Sequence, residues 1–419
     1  MTGVQTCALP ICANVDLLVC YTATYATSSQ VLPIVQRSRR PVLVLNLQPV
    51  AQLDYEHVDT GEWLANCSAC CVPEIANAFT RARIPFQVVS GQLTDDPRAW
   101  GLIAEWIRAA AVVRALSYSR LGFLGHTYPG MLDMYSDFTM HQAQLGTHVE
   151  VLEMDDLAAR VAAVTEFQAR AKQAEILSQF ELAAPGSDQI SAPITPEAME
   201  WSARVACGLD QLVADFDLNG LTYYYRGLAG NEFEELGAAL IVGNSLLTAR
   251  GIPCSGEGDL KTCVSMLIMD RLGAGGSYTE FYAMDFVDGI VLMGHDGPGH
   301  VAISDRKPTL RGLSVFHGKR GAGISVQFQV RPGPITILGT TQTAEGQLKF
   351  VLAEGAAEPG PTMQIGNTNS RLRFSLPPAE FMDAWCAHGP THHVALGIGH
   401  QRAAIAKVAR LLGLECAVV

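Results

Sequence analysis

Four short stretches of the chain pair a carboxylate or an imidazole with glycine. SGEGDLK carries Glu257, Asp259 and Lys261, and GGSYTEFYAMDF carries Glu280 and Asp285. VLMGHDGPGH carries His295 and His300, and HGPTHHVALGIGH carries His388, His392, His393 and His400. Glycines beside an acid let backbone and ligand approach closely. Three of the stretches also have a plainer reading: an exposed turn for GEGD, core packing by Phe281 and Tyr282 around Glu280, and a hydrogen-bonded histidine at a strand end for His295. Successive residues of a strand point to opposite faces, so no more than one of His392 and His393 is expected in a given site. As a set, two glutamates and two histidines offer mixed oxygen and nitrogen ligation. That donor chemistry suits Mn²⁺ and tolerates Co²⁺ or Fe²⁺, whereas an all-cysteine set would indicate zinc and an all-oxygen set Ca²⁺ or Mg²⁺.

The elements that must hold these residues can be read from the pattern around them. Residues 15–22, VDLLVCYT, and 41–47, PVLVLNL, are continuous apolar runs of strand length, as in parallel strands covered on both faces. SSQVLPIVQRS between them reads as a short or broken helix, because Pro33 interrupts it. EIANAFTRARI, PFQVVSG and AWGLIAEWIRAAAVVRAL then repeat helix, strand and helix. RLGFLGHTYPGM, residues 120–131, reads as a strand running into a Gly/Pro loop that holds His126 and opens a second α/β unit. A helical stretch over 154–180 follows, then a linker. The next helix is announced by Thr195, Pro196 and Glu197 as cap, first-turn proline and first-turn acid. Met199, Val205, Leu209, Leu212 and Phe216 give it one buried face.

After about residue 275 the period changes to two, as in Ile324, Val326, Phe328 and Val330. RPGP turns, ITILGT and LKFVLAEG follow as antiparallel strands, and RAAIAKVARLLG is the last helix. The expected fold class is α/β, with Rossmann-like parallel-sheet domains followed by a β-rich C-terminal domain. The expected boundaries are residues 1–115, 116–275 and 276–419.

Composition narrows the function classes. With 419 residues, of which 48% are hydrophobic and 17% charged, the chain is neither disordered nor a single small core. Its formal charge of −12 repels phosphate backbones and argues against nucleic-acid binding. No apolar run reaches the length of a membrane span. The 11 cysteines, an odd number scattered through apolar segments, fit reduced thiols of a cytoplasmic protein. Cys67 and Cys70 form one CxxC in NCSACC, but no second pair stands at zinc-ribbon spacing. The opening MTGVQTCALPIC has no basic n-region and too short an apolar stretch for a secretory signal. It resembles translated adapter sequence and is read as foreign up to about Cys12.

The order and spacing of the four stretches resemble the L-arabinose isomerase/L-fucose isomerase family. GEGDLK, SYTEFY, VLMGH and GPTHH stand at intervals of 23 residues (Glu257 to Glu280), 15 (Glu280 to His295) and 97 or 98 (His295 to His392 or His393). Leu260 stands where the arabinose enzymes carry an aromatic residue, and GHDGPGH departs from their histidine segment, which marks a divergent branch.

The resemblance implies a metal-dependent aldose–ketose isomerase acting on a free sugar of pentose or 6-deoxyhexose type through a cis-enediol. It makes Glu257 and Glu280 acid/base residues that also ligate metal, with His295 and His392 or His393 as nitrogen ligands. Asp259 and Lys261 would support them from behind, and His126 would line the sugar pocket. It further implies a homo-oligomer, trimer or hexamer, with active sites near subunit interfaces, and no nucleic-acid or membrane partner. Set against family members, the first domain is expected to lack an opening strand–helix unit and so to expose apolar surface and bind sugar poorly. A catalytically silent sugar-binding or regulatory relative and a metal-dependent sugar epimerase are the rival functions.

Overall fold

The computed structural model describes residues 15–38, 40–184, 186, 191–228, 230–316 and 319–419. The expectation for the first twelve residues lies outside them. The chain divides into two compact units, one ending at Arg114 and one running from Ala115 to Val419. Among the described residues no helix is long and apolar enough to cross a membrane.

The first unit is built on a parallel sheet in the order β1 (Leu18–Tyr21), β2 (Val42–Gln48), β3 (Phe86–Gln92). The apolar run of β2 is explained by its central place: Val42, Leu43, Val44, Leu45 and Leu47 are all buried. β1, at an edge, alternates between half-buried and exposed positions instead. α1 (Ser28–Ser38) and α3 (Ser68–Arg81) cover one face, placing Val35, Val72, Ile75 and Phe79 in one core with Val42 and Val44. α2 (Thr60–Ala65) and α4 (Pro97–Ser117) complete the alternation. α1 is the short helix expected over SSQVLPIVQRS, and it runs unbroken through Pro33. The proline is exposed, so the carbonyl deprived of its partner faces water.

The second unit begins with a parallel sheet, β5 (His148–Leu152), β4 (Arg120–Gly125), β8 (Gly220–Tyr224), β9 (Cys254–Ser255). It is served by the helices α5 (Phe138–Leu145), α6 (Met154–Ala162), α7 (Glu166–Gln179), α8 (Pro196–Asp215), α9 (Glu234–Ala238) and α10 (Leu240–Ala249). The expected single helical stretch over 154–180 is two helices, because Thr165 caps α7 through a reciprocal box with Gln168. α8 starts as read, Thr195 Oγ1 accepting from the Ala198 amide at 3.1 Å.

An antiparallel barrel follows. Its strands are β14 (Gly333–Gln342), β17 (His393–Ile398), β10 (Gly275–Asp285), β11 (Ile290–His295), β16 (Thr368–Phe374) and β15 (Leu348–Glu358), and β15 pairs back onto β14 to close it. α12 (Pro378–Cys386) seals it with Phe381 and Trp385. A strand that the pattern did not announce, β18 (Glu415–Val418), follows α13 (Arg402–Leu412) and adds parallel to β15. A small sheet of β12 (Thr309–Phe316) and β13 (Lys319–Gln327), joined by β6 (Glu181–Leu182) and β7 (Ser191–Ala192), completes the unit. Between parallel sheet and barrel lies α11 (Leu260–Arg271), packed on β8 and β9 on one side and β10, β14 and β17 on the other. Every residue from Leu260 to Met269 is buried, and its inward hydroxyls are matched, Ser265 Oγ lying 2.8 Å from Thr340 Oγ1.

Candidate functional site

The first turn of α11 is where the chemistry gathers. β9 ends at Ser255, and the chain reaches Asp259, the N-cap of α11, through Gly256, Glu257 and Gly258. Glu257 and Gly258 both take left-handed conformations, with φ of +60° and +70°. A Cβ on Gly258 would stand 2.5 Å from the His126 carbonyl oxygen, so only glycine fits there. Backbone bonds from Tyr128 N to Glu257 O (2.9 Å) and from Gly258 N to Tyr223 O (3.0 Å) fasten the loop to the segments that follow β4 and end β8.

Three barrel strands meet this loop. In register, Glu280 of β10 faces His393 on β17 and Gly294 on β11. Gly294 lets β16 come close, since a Cβ there would lie 1.8 Å from the Thr368 oxygen. Thr368 Oγ1 in turn bonds both the amide and the carbonyl of the next residue, His295. His295 and His393 are buried and meet nitrogen to nitrogen, Nε2 to Nε2, at 3.2 Å. Glu257 Oε2 is 3.8 Å from His393 Nε2. One ligand atom each of Glu257, His295 and His393 lie within 4.8 Å of one another, and the same holds for Glu280, His392 and His393. His393 belongs to both sets.

Each imidazole has a support that sets its proton. His393 Nδ1 is 3.0 Å from Asp259 Oδ2 and 2.7 Å from the Tyr278 hydroxyl, which also bonds Gly256 O. Burial opposes charge on Asp259, but the His393 bond and the Thr262 amide and hydroxyl outweigh it and hold the carboxyl below its ordinary range. Burial lowers the His393 pKa in spite of Asp259, so the ring is neutral and offers a lone pair. His392 sits in a bend before β17. Burial would lower its pKa, yet the Asp133 carboxylate, 2.6 Å from Nδ1 and 2.9 Å from the backbone amide, raises it. Asp133 is held at about 2 by the same contact, against its burial. Lys261, buried, donates to Tyr135 O at 3.0 Å, and burial lowers its pKa. A cavity of about 470 Å³ opens beside Glu280 and His392 and is lined also by Asp133, Phe281, Trp385 and Thr391.

Comparison with known proteins bears on this constellation. Residues 136–275 match the model of the L-arabinose isomerase central domain, and residues 299–418 match that of the L-fucose isomerase C-terminal domain, together 260 of the 419 residues. The chain belongs to the L-arabinose isomerase/L-fucose isomerase family. It is 25% identical over 391 residues to an L-arabinose isomerase of Nocardioides sp., covering 91% of this chain and 76% of that protein. Identity to the L-arabinose isomerase of Acidothermus cellulolyticus is also 25%, with the same coverages. To L-arabinose isomerase 1 of Bacillus licheniformis it is 22%, over 94% of this chain and 79% of that protein.

In this family member, Glu257, Glu280, His295 and His393 come together, with Asp259 bonded behind His393. His392 joins them too, its ring 3.8 Å from that of His393. The alternation argument expected one of the two alone, but His392 precedes the strand and is not bound by its period. His126 faces another cavity, of about 280 Å³, with Glu153, Asp155, Tyr225 and Phe233. Its Nδ1 donates to Thr127 O at 2.9 Å. Two participants were not singled out from the sequence. Tyr278 stands two residues before Glu280, which puts both on one strand face, so period two could have found it. Asp133 arrives from the 3-10 turn Leu132–Met134, 259 residues before His392, with no local signal.

Proposed function

We propose that this chain is an aldose–ketose isomerase that interconverts a free sugar of pentose or 6-deoxyhexose type and its ketose through a cis-enediol, with a divalent metal. The observation that carries the reading is that the carboxylates of Glu257 and Glu280 both reach the neutral His393, beside a cavity large enough for a monosaccharide. The names of the relatives make L-arabinose the first sugar to try.

The donor set fits a cation such as Mn²⁺, with Co²⁺ or Fe²⁺ as alternatives: two carboxylates with the neutral His393 and its neighbouring imidazoles, in mixed oxygen and nitrogen ligation. His393 fits best, with Nδ1 turned to Asp259 and Nε2 turned to its partners. His295 as placed accepts the Gly297 amide at Nδ1, 2.8 Å away, so its proton is on Nε2. With an ion held at Nε2 that proton belongs on Nδ1, 3.5 Å from Asp296 Oδ1. When bound, the ion supplies polarisation of the sugar carbonyl and hydroxyl and charge stabilisation of the enediolate.

The protein's own residues do the rest. One of the two glutamates takes the proton from C2 and the same proton is returned to C1, while a second proton passes from the O2 hydroxyl to O1, so that the C1 carbonyl becomes a hydroxyl and O2 the ketone oxygen. Asp133 orients His392 at the cavity wall, Asp259 and Tyr278 orient His393, and Phe281 and Trp385 supply apolar surface for the sugar's carbon face. A cytoplasmic homo-oligomer, trimer or hexamer, and domain boundaries near residues 115 and 275 belong to the same proposal. Sedimentation and limited proteolysis test them.

The decisive experiment incubates the protein with L-arabinose, other free pentoses and 6-deoxyhexoses, with Mn²⁺ and with chelator, and assays ketose. Ketose is expected with metal and not with chelator. Glu280→Gln should keep the fold and fall to near-complete inactivity, since it removes the basic oxygen. Most of the turnover surviving in the metal-loaded variant would exclude Glu280 as a proton carrier. Sugar binding without conversion would favour the silent relative, and a product that is still an aldose would favour the epimerase.

A further inference from the structure

Lys261 is the one charged residue in the buried run from Leu260 to Met269 of α11, and it is only 3% exposed. An ammonium taken out of water is costly unless charges or hydrogen bonds replace its hydration. Here the carboxylates of Asp259 and Asp133 favour the charged form against its burial. Its Nζ donates to Tyr135 O at 3.0 Å, across 126 residues of sequence. A methionine has nearly the same length and would fill the space without burying a charge, so packing does not account for a lysine.

The bond ends a segment that is anchored twice. Tyr128 N donates to Glu257 O at 2.9 Å at its start, and Lys261 holds Tyr135 O at its end, so both ends are fastened around the start of α11. Between the anchors the chain folds on itself. Gly130 N donates to the Tyr135 hydroxyl at 3.1 Å, and Tyr135 N donates to Leu132 O at 3.2 Å, closing the turn Leu132–Met134. Asp133 lies in that turn, and its Oδ2 accepts from both the backbone amide and Nδ1 of His392. Asp133, His392 and Glu280 together line the cavity of about 470 Å³. A displaced turn would therefore move the cavity wall. His393 and His295 are held by other bonds, from Asp259, Tyr278 and Thr368.

We propose that Lys261 is a positioning residue: it clamps the Leu132–Met134 turn so that Asp133 holds His392 at the wall of the sugar cavity. It acts on the seat of the sugar and leaves Glu257, His295 and His393 as they are. The clamp stands on the geometry alone, and its action on a sugar rests on the isomerase reading.

The test compares the full-length protein with Lys261→Met. In urea the variant should be as stable as the parent or more so, as when a buried ion gives way to an apolar residue of its shape. Hydrogen exchange read by mass spectrometry should quicken over residues 128–137 by about tenfold or more, for the loss of a charged hydrogen bond, and stay unchanged over β17. Calorimetry should give the parent's Mn²⁺ affinity. The Mn²⁺-loaded variant should bind L-arabinitol, an open-chain polyol, more weakly by about tenfold or more. Asp133→Asn should weaken that binding too, and the double variant should lose no more than the weaker single, since both act through one contact. Unchanged exchange over 128–137 overturns the clamp. So does a fall in stability with exchange quickened throughout, which would make Lys261 a packing residue. L-arabinitol binding equal to the parent's, or losses that add in the double variant, overturns the action on the cavity. A parent that binds no L-arabinitol and forms no ketose refutes the isomerase reading instead, and exchange over 128–137 then decides the clamp.

Discussion

Asp259 serves two structures with one carboxylate. Oδ1 accepts the Thr262 amide at 3.0 Å and so caps α11, while Oδ2 faces His393 Nδ1. Asparagine caps a helix about as well as aspartate, so Asp259→Asn should fold normally. It removes the charge that makes His393 a good donor, and Mn²⁺ affinity is expected to fall by roughly 10- to 100-fold. Titration calorimetry checks this, and an unchanged affinity would remove His393 from the ligand set. At this scale the sequence was readable where chemistry is concentrated in a short motif. GEGDLK, SYTEFY, VLMGH and GPTHH named the residues that converge. It was silent where the partner is supplied only by tertiary packing, as Asp133 is to His392.

α11 and the loop before it decide whether the motif can meet the barrel. The left-handed turn at Glu257 and Gly258 aims the chain from the parallel sheet into the helix, with the His126 carbonyl against its back. Gly258→Ala adds both a strained φ and a contact at 2.5 Å, and should destabilise the fold by more than about 1 kcal/mol and depress turnover strongly. Gly130→Ala has a positive φ as well, +97°, but nothing within 4 Å of the new Cβ. It should cost less stability, and urea denaturation of the two variants separates backbone strain from collision. Equal losses would mean that the loop yields and the close approach is not needed. Element types were legible from period and caps, such as β2 from its apolar run and α8 from Thr195. Boundaries were less so, because they depend on side-chain bonds, as at Thr165. β18 escaped notice since four residues carry too little pattern to show a strand.

Across the whole molecule, acid should act first on buried imidazoles. His141 is fully buried in α5, with Nε2 2.7 Å from Ser136 Oγ, and burial together with the nearby Lys261 charge lowers its pKa to about 4. The unfolded chain titrates this group near its ordinary 6.5 and therefore binds more protons between the two values. Stability should fall as pH drops from 6.5 towards 4, by up to about 3 kcal/mol from this residue. His141→Gln should flatten that part of the denaturation profile, and an unchanged slope would mean that His141 is not held neutral. The change of period near residue 275 did foretell the barrel, which opens with β10 at Gly275. How its strands are ordered was out of reach, because neighbours in the sheet are distant in sequence. β17 lies between β14 and β10, and that arrangement has a consequence in time. Glu280 leaves the ribosome 113 residues ahead of His393, an interval of roughly 6–23 s at ordinary rates of synthesis. Until β17 arrives, the nascent chain presents two unpaired strand edges, on β14 and β10, and Glu280 without His393, so the same six residues close the barrel and complete the cluster proposed to carry the chemistry.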